Sequence, residues 1–573
     1  MKSFLKYTLA TIVGIIITSL IGFLLMLGIV GALISMTEEK PAVVKPNSVL
    51  KITLDNEIVD RTSNNPFKNF NWTTMESEPS VGLNDILRNI KKAKSDKKIK
   101  GIYLEVDAIP AGIATIQEVR EALLDFKECG KFILAYSDMY TQGAYYLASV
   151  ADKIYLTPTG LVEFKGLSAE LMFFKGTLEK LGIEPQIIRH GKFKSAIEPL
   201  ILDKMSEANR EQTMTYMQSI WNHLLEGISD QRGVSVDDLN KIADSMLITD
   251  AALAEKYKLI DGQRYRDEVI AELKELTGTN EKKQDVNYIG LAKYTNAPDS
   301  AKTKELIKDK IAVIYATGQI DIGKGDEESI GSDGLSETIR KARLDSTVKA
   351  VVLRVNSPGG SALASEVIWR EMVLTKEKKP VIVSMGDVAA SGGYYISCPA
   401  DMILASQNTI TGSIGVFGVL WNSQELLNET LGITIDVAKT NQHADIGSAF
   451  RPMTLSERSV IQKEVEDIYD VFVGHVSAGR NMTTAEVDSI GQGRVWSGTN
   501  AKEIGLIDEF GGMTKAVEVA KEKAGLDTYR LVELPEQEDP FQKIIKEMMG
   551  DEKALLKKHL GIGYKYIRHL KDV

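Results

Sequence analysis

One stretch of this chain is written twice. Lys100-Gly101-Ile102-Tyr103-Leu104-Glu105-Val106 matches Lys349-Ala350-Val351-Val352-Leu353-Arg354-Val355, a separation of 349 − 100 = 249 residues. Gln142-Gly143-Ala144-Tyr145-Tyr146 matches Ser391-Gly392-Gly393-Tyr394-Tyr395 at 391 − 142 = 249, and Leu259-Ile260-Asp261 matches Leu506-Ile507-Asp508 at 506 − 259 = 247. A register held over so long a span marks a tandem duplication, so one fold has to serve both halves. Within each copy short β-branched runs alternate with amphipathic stretches such as 213–225. That alternation predicts an α/β fold, in which βαβ crossovers build a largely parallel sheet between helices.

The ends of the chain differ from its repeats. Lys2 and Lys6 precede an uncharged, mostly apolar run over 7–37, closed by Glu38-Glu39-Lys40. The run exceeds the roughly 20 residues that cross a bilayer and the apolar core of a cleavable signal. It predicts one transmembrane anchor at 7–37, with residues 1–6 cytoplasmic and everything beyond on the far side of the inner membrane. The patterns then place the first repeat at 48–274, a polar linker at 275–308, the second repeat at 309–530 and a charged tail at 531–573. The Lys/Arg-rich end of that tail, 557–571, reads as a solvated helix. A net charge of −10 argues against nucleic-acid binding. Six scattered histidines offer no zinc motif, and no cofactor or metal is expected. Cys129 and Cys398 are too few for a disulfide framework and read as buried free thiols.

Where the copies diverge, chemistry has room to sit. After the apolar run Pro380-Val381-Ile382-Val383-Ser384-Met385, small residues turn the chain at Ser391, and Gly392-Gly393-Tyr394-Tyr395-Ile396 begins a helix. A serine there is either a plain helix N-cap or a nucleophile beside unpaired helix amides that stabilise an oxyanion. The first copy has Gln142 at this position, which cannot attack a carbonyl. Only the second copy has the pair Gly359-Gly360, in Asn356-Ser357-Pro358-Gly359-Gly360-Ser361, and Thr411-Gly412-Ser413-Ile414-Gly415. A Gly-Gly pair lets backbone amides approach a ligand closely, as an oxyanion hole requires. The reverse holds for Lys194: the second copy has Gln442 or His443 opposite it. One copy has serine without lysine and the other lysine without serine, which fits one composite site shared between the halves.

Taken together, Asn356-Ser357-Pro358-Gly359-Gly360, Ala390-Ser391-Gly392-Gly393-Tyr394-Tyr395, Thr411-Gly412-Ser413-Ile414-Gly415 and Lys194-Ser195-Ala196-Ile197-Glu198-Pro199 resemble the signal peptide peptidase A (protease IV) family in its long, two-repeat form. The resemblance covers residues 48 to about 530. It implies two ClpP/crotonase-like domains, a membrane-mounted homotetrameric bowl, and signal peptides left in the membrane as substrates, along with other apolar peptides. It also implies Ser391 as nucleophile, Lys194 as general base and Ser413 as the hydroxyl that orients the lysine. Amides of Gly359 or Gly360 and of Gly392 are the oxyanion donors this suggests. Lysine ordinarily ionises near ~10.4 and acts as a base only if burial lowers its pKa toward roughly 7–8. Lys192 and His443 are the alternative bases. A catalytically silent scaffold and an acyl-CoA enzyme of crotonase architecture are the alternative functions.

Overall fold

The computed structural model describes residues 2–37, 42–65, 70–71, 76–77, 81–279, 285–299 and 307–537. Lys2–Thr37 is one helix, α1, with no proline to interrupt it. Its described apolar side chains, among them Phe4, Leu9, Ile16 and Leu20, are exposed. Among the described residues no helix is long and apolar enough to cross a membrane, unlike the anchor expected at 7–37.

The first unit carries β1 (Ser48–Ile52), α2 (Leu83–Ser95), β2 (Ile99–Glu105), α3 (Ile113–Lys127), β3 (Phe132–Tyr140), α4 (Gln142–Ala148), β4 (Lys153–Val162), β5 (Glu184–Arg189), α5 (Glu207–Arg232), β6 (Gly262–Gln263) and β7 (Asn287–Gly290). Six of these strands form a parallel sheet in the order β6-β4-β3-β2-β1-β7. The second unit repeats the plan with β8 (Lys310–Thr317), α6 (Ser332–Leu344), β9 (Val348–Ser357), α7 (Ala362–Lys376), β10 (Val381–Ala390), α8 (Gly392–Ser397), β11 (Met402–Ala405), β12 (Ile410–Gly412), β13 (Phe417–Asn422), α9 (Leu455–Arg480), β14 (Val495–Ser497), β15 (Glu509–Phe510), α10 (Met513–Lys523) and β16 (Arg530–Leu534). Its main sheet runs β14-β12-β10-β9-β8-β16, with β11 beside β10 and β15 beside β11. The near-continuous apolar runs of β8, β9 and β10 are buried on both faces, as central parallel strands require.

Three expectations need correction. Residues 275–308 are not simply a linker: β7 pairs parallel with β1, and Leu291 and Tyr294 are buried. The open edge of β1 captures a short apolar segment too weak to be recognised as a strand by itself. The tail expected from 531 starts inside the second sheet, because β16 pairs with β8; residues 538–573, including 557–571, lie outside the described residues, as do 280–284. Cys398 is buried as expected, but Cys129 is exposed, since it follows the end of α3 at the surface.

The two units share an interior. Ile311, Val313, Val352 and Ile382 of the second sheet belong to the same apolar cluster as the first unit's core. Arg354, 0% exposed, reaches across to Asp60 Oδ1 at 2.7 Å and Glu118 Oε1 at 2.6 Å. Burial opposes its charge, and the carboxylates of Glu118 and Asp60 more than offset that, keeping Arg354 protonated. Asp387 of the second unit accepts hydrogen bonds from Thr115 N (3.0 Å) and Thr115 Oγ1 (2.6 Å), holding the N-terminus of the first unit's α3. The arrangement of the halves is therefore set by a paired buried charge and a cap, both directional, on top of shared apolar burial.

Candidate active site

β10 ends at Ala390, and the chain turns at Ser391 into α8. Ser391 has φ 55° and ψ −118°, a conformation costly for a residue with a Cβ, of order 1–3 kcal/mol. Two backbone hydrogen bonds hold it there: Ser391 N donates to Gly412 O and Tyr395 N donates to Ser391 O, both at 2.9 Å. Its side chain caps no helix amide, which leaves Oγ available to another partner.

That partner comes from the first unit. β5 pairs antiparallel with β13, Glu184 opposite Asn422 and Arg189 opposite Phe417, so a strand of each unit makes one two-stranded ribbon. The chain leaving β5 is tied to the second unit by His190 N donating to Val416 O (3.1 Å) and Phe193 N donating to Gln492 O (2.9 Å). Lys194 follows, 4% exposed. Its Nζ lies 3.0 Å from Ser391 Oγ, 2.9 Å from Ser413 Oγ and 3.0 Å from Ser413 O. Among the described residues no carboxylate faces it, and burial lowers its pKa from 10.5 to about 7. A free amine so placed can donate its two protons to Ser413 and direct its lone pair at the Ser391 hydroxyl. Ser413 is held in turn at φ 50° by donating its amide to Arg494 O at 2.7 Å.

Gly359 and Gly360 lie across the serine. A Cβ on Gly359 (φ 103°) would sit 2.6 Å from Gly392 N and 2.8 Å from Ser391 Cβ. The Gly359 amide is already spent, donating to Ser357 Oγ at 3.2 Å. The Gly360 and Gly392 amides donate to no group among the described residues. Of the oxyanion candidates, these two are the ones with a free N–H.

The comparisons with known proteins agree with this layout. The model of peptidase family S49 matches residues 125–280 and 374–527, one match per unit. Protease 4 of Haemophilus influenzae is 36% identical over 521 residues, covering 88% of this chain and 83% of that protein. The chain belongs to peptidase family S49. Protease 4 of Salmonella typhi is 37% identical over 483 residues (83% of this chain, 77% of that protein). The chloroplastic serine protease SPPA of Arabidopsis thaliana is 35% identical over 512 residues (88% and 74%). The chain is thus a serine-type peptidase. A ClpP1 mutant chain from Listeria monocytogenes superposes at TM-score 0.25 with 14% identity, over 36% of this chain and 94% of that one, too little to bear on the argument.

In this S49 peptidase the other candidates lie elsewhere or have structural partners. Lys192 is exposed beside the Phe193 ring. His443 is half exposed and faces Glu457 at 3.5 Å. The match of Leu181-Gly182-Ile183 to Leu431-Gly432-Ile433, at 431 − 181 = 250, moves the position opposite Lys194 to Ala444. Buried Glu198 accepts from Ser206 and Asn209. In the first unit, Gln142 Oε1 accepts from the Lys165 and Gly166 amides at 3.1 Å, so the side chain fills the place where a nucleophile would stand.

Sequence reading missed the clamp on Lys194. Gln212 Nε2 donates to Phe193 O (3.1 Å) and Ser195 Oγ (2.8 Å), while its Oε1 accepts from Val495 N (3.1 Å). Gly493 packs so tightly that a Cβ would lie 2.7 Å from Lys194 N. A signal was available: Gly491-Gln492-Gly493-Arg494 faces Asp244-Ser245-Met246-Leu247 in the first copy, a second glycine pair found in one copy only.

Proposed function

We propose that this S49 peptidase is a membrane-anchored endopeptidase that hydrolyses signal peptides left in the bilayer after preprotein processing, with Ser391 as nucleophile and Lys194 as general base. The observation that carries the reading is the buried Lys194 amine 3.0 Å from Ser391 Oγ, both in one chain. Attack by Ser391 Oγ on the scissile carbonyl passes the hydroxyl proton to Lys194 Nζ. The oxyanion takes the Gly360 and Gly392 amides. Lys194 then returns its proton to the leaving amine, and water, deprotonated by the same lysine, releases the acyl group from Ser391. Ser413 holds Nζ in line throughout.

The apolar run at 7–37 supports an anchor. In the sequence, this uncharged run exceeds the roughly 20 residues that a bilayer-spanning segment needs. Lys2 and Lys6 favour a cytoplasmic N-terminus, with both units on the periplasmic side of the inner membrane. An apolar strand ribbon next to the dyad, with Phe417 and Trp421 partly exposed, suits apolar peptide substrates. Two ClpP/crotonase-like units per chain and a homotetramer complete the reading.

The test uses the full chain in detergent, as wild type, Ser391→Ala and Lys194→Ala. A fluorophosphonate probe reports the nucleophile and a signal-like apolar peptide reports turnover. Labelling lost in Ser391→Ala and cleavage lost in both variants is the expected result. Full activity in Lys194→Ala would rule out the dyad.

A further inference from the structure

We propose that Glu366 is a positioning residue for the peptidase reaction: through Tyr395 and His475 it locks the helix that starts at the nucleophile to the helix that starts at the oxyanion glycines, and both to the helix that touches the lysine loop. It does so for the site proposed above, with Ser391 as nucleophile and the Gly360 and Gly392 amides as oxyanion donors, and the inference rests on that reading.

The two amides belong to different elements. Gly392 opens α8, and Gly360 stands immediately before Ser361, the N-cap of α7. The two helix ends touch: a Cβ on Gly392 would lie 3.2 Å from Gly360 N and 2.7 Å from Ser365 Oγ. α8 has six residues, and isolated helices shorter than ~12 residues are marginal in water. It also follows a serine in a strained conformation. A fixed spacing between the amides therefore needs a tether between α7 and α8. Tyr395 Oη donates to Glu366 Oε2, the side-chain hydrogen bond that joins these two helices among the described residues. Burial, followed by the Glu366 carboxylate, pushes the Tyr395 pKa up, so the hydroxyl keeps its proton and remains the donor.

The same carboxylate oxygen holds a third element. His475 Nε2 of α9 lies 2.9 Å from Glu366 Oε2. The imidazole is stacked on Trp369 of α7, with 3.5 Å between ring centroids, and stands edge-on to Tyr395 at 5.4 Å. At 475 − 469 = 6 residues earlier on α9, about 9 Å along the axis, Tyr469 stacks on His190 at 3.9 Å and its hydroxyl accepts from Gln492 N at 3.1 Å. Gln492 O in turn accepts the Phe193 amide beside Lys194. α9 thus meets the lysine loop at Tyr469 and the oxyanion side at His475, and Glu366 makes the second of these contacts.

The unit without the nucleophile lacks the tether. At the offset of 249, Glu366, Trp369 and Tyr395 correspond to Gln117, Arg120 and Tyr146, and at 248 His475 corresponds to Gly227. There Arg120 covers the Tyr146 ring at 4.7 Å and donates to Gly227 O, while Gln117 turns to Gln407 and Asn408 of the second unit. Both copies bury the tyrosine. The carboxylate and imidazole that act on it occur only beside Ser391.

The experiment uses the full chain in detergent with a signal-like apolar peptide. Tyr395→Phe, which keeps the ring, and Glu366→Leu should each lower kcat about tenfold with KM within about twofold. Both should slow fluorophosphonate labelling to the same degree, because the phosphonyl oxygen uses the same amides. Glu366→Gln restores an acceptor for Tyr395 and should recover most of the rate. The Glu366→Leu/Tyr395→Phe double variant should be no slower than either single, as holds for two groups in one interaction. Tyr146→Phe, the same change in the first unit, should leave kcat at the wild-type value. Tyr395→Phe carries the test alone if circular dichroism shows that Glu366→Leu does not fold. A wild-type kcat in Tyr395→Phe, an effect on KM only, a double variant slower by the product of the singles, or an equal loss in Tyr146→Phe would each overturn the inference and leave the dyad in place. Labelling that persists in Ser391→Ala is the separate result that overturns the dyad, and this inference with it.

Discussion

If Lys194 is the base, the rate has to follow its free-amine fraction as pH passes through about 7. The shift from 10.5 to about 7 is 10.5 − 7 = 3.5 units, or about 5 kcal/mol at ~1.36 kcal/mol per unit. Burial supplies all of it, so at pH 7 roughly half of Lys194 is a free amine, against about 0.03% for an unshifted lysine. kcat/KM for a signal-like peptide should therefore rise about tenfold between pH 6 and pH 8 and level off above that. His443→Ala should leave the profile in place, since His443 faces Glu457 rather than the serine. The same shift has a stability cost. The folded pKa lies below the unfolded one, so between pH 7 and 10.5 the unfolded chain holds a proton that the folded chain lacks. Folding stability relative to Lys194→Met should thus climb by about 1.4 kcal/mol per pH unit across that window, with the full penalty present below pH 7. A kcat/KM that is flat from pH 6 to 8, or a limb that disappears in His443→Ala, would refute the reasoning.

Ser413→Ala removes the hydroxyl 2.9 Å from Nζ and leaves the Ser413 carbonyl, so kcat should fall about tenfold to a hundredfold with KM little changed; steady-state kinetics on the same peptide decide it. Gly359→Ala drives a Cβ to 2.6 Å from the Gly392 nitrogen at φ 103°, and should lower kcat by about 10²–10³, the scale of one lost oxyanion donor, while circular dichroism stays as in wild type. Arg354→Met strands Asp60 and Glu118 in the interior without a cation, and should cost about 3–5 kcal/mol in urea unfolding; a loss under 1 kcal/mol would show that the pair does not join the halves.

Much of the site could be read locally. The turn at Ser391 follows from a strand-length apolar run ending in small residues, and the copy comparison exposed Gly359-Gly360, a pair whose missing Cβ atoms let backbone approach backbone. Gln212 was not readable, since a polar residue on an amphipathic helix looks the same whether it faces water or clamps a loop. Residues 287–290 were not readable as a strand, because four residues become a strand only when an open edge receives them. Cys129 was misplaced for a similar reason: burial depends on what packs against a helix end.

By itself the sequence determined the duplication, the α/β alternation, the apolar N-terminal run and the split of serine and lysine between copies. All of these are periodic or short-range patterns that hydrophobic burial and backbone geometry impose residue by residue. Only the tertiary structure decided that Lys194 meets Ser391 across 197 residues of chain, that one glycine amide is spent while two donate to no group among the described residues, and that burial alone lowers the lysine pKa. These depend on the ribbon of β5 and β13 and on the Arg354 pairing, which bring the units to one fixed placement; no local pattern encodes the distance between two groups held by different domains.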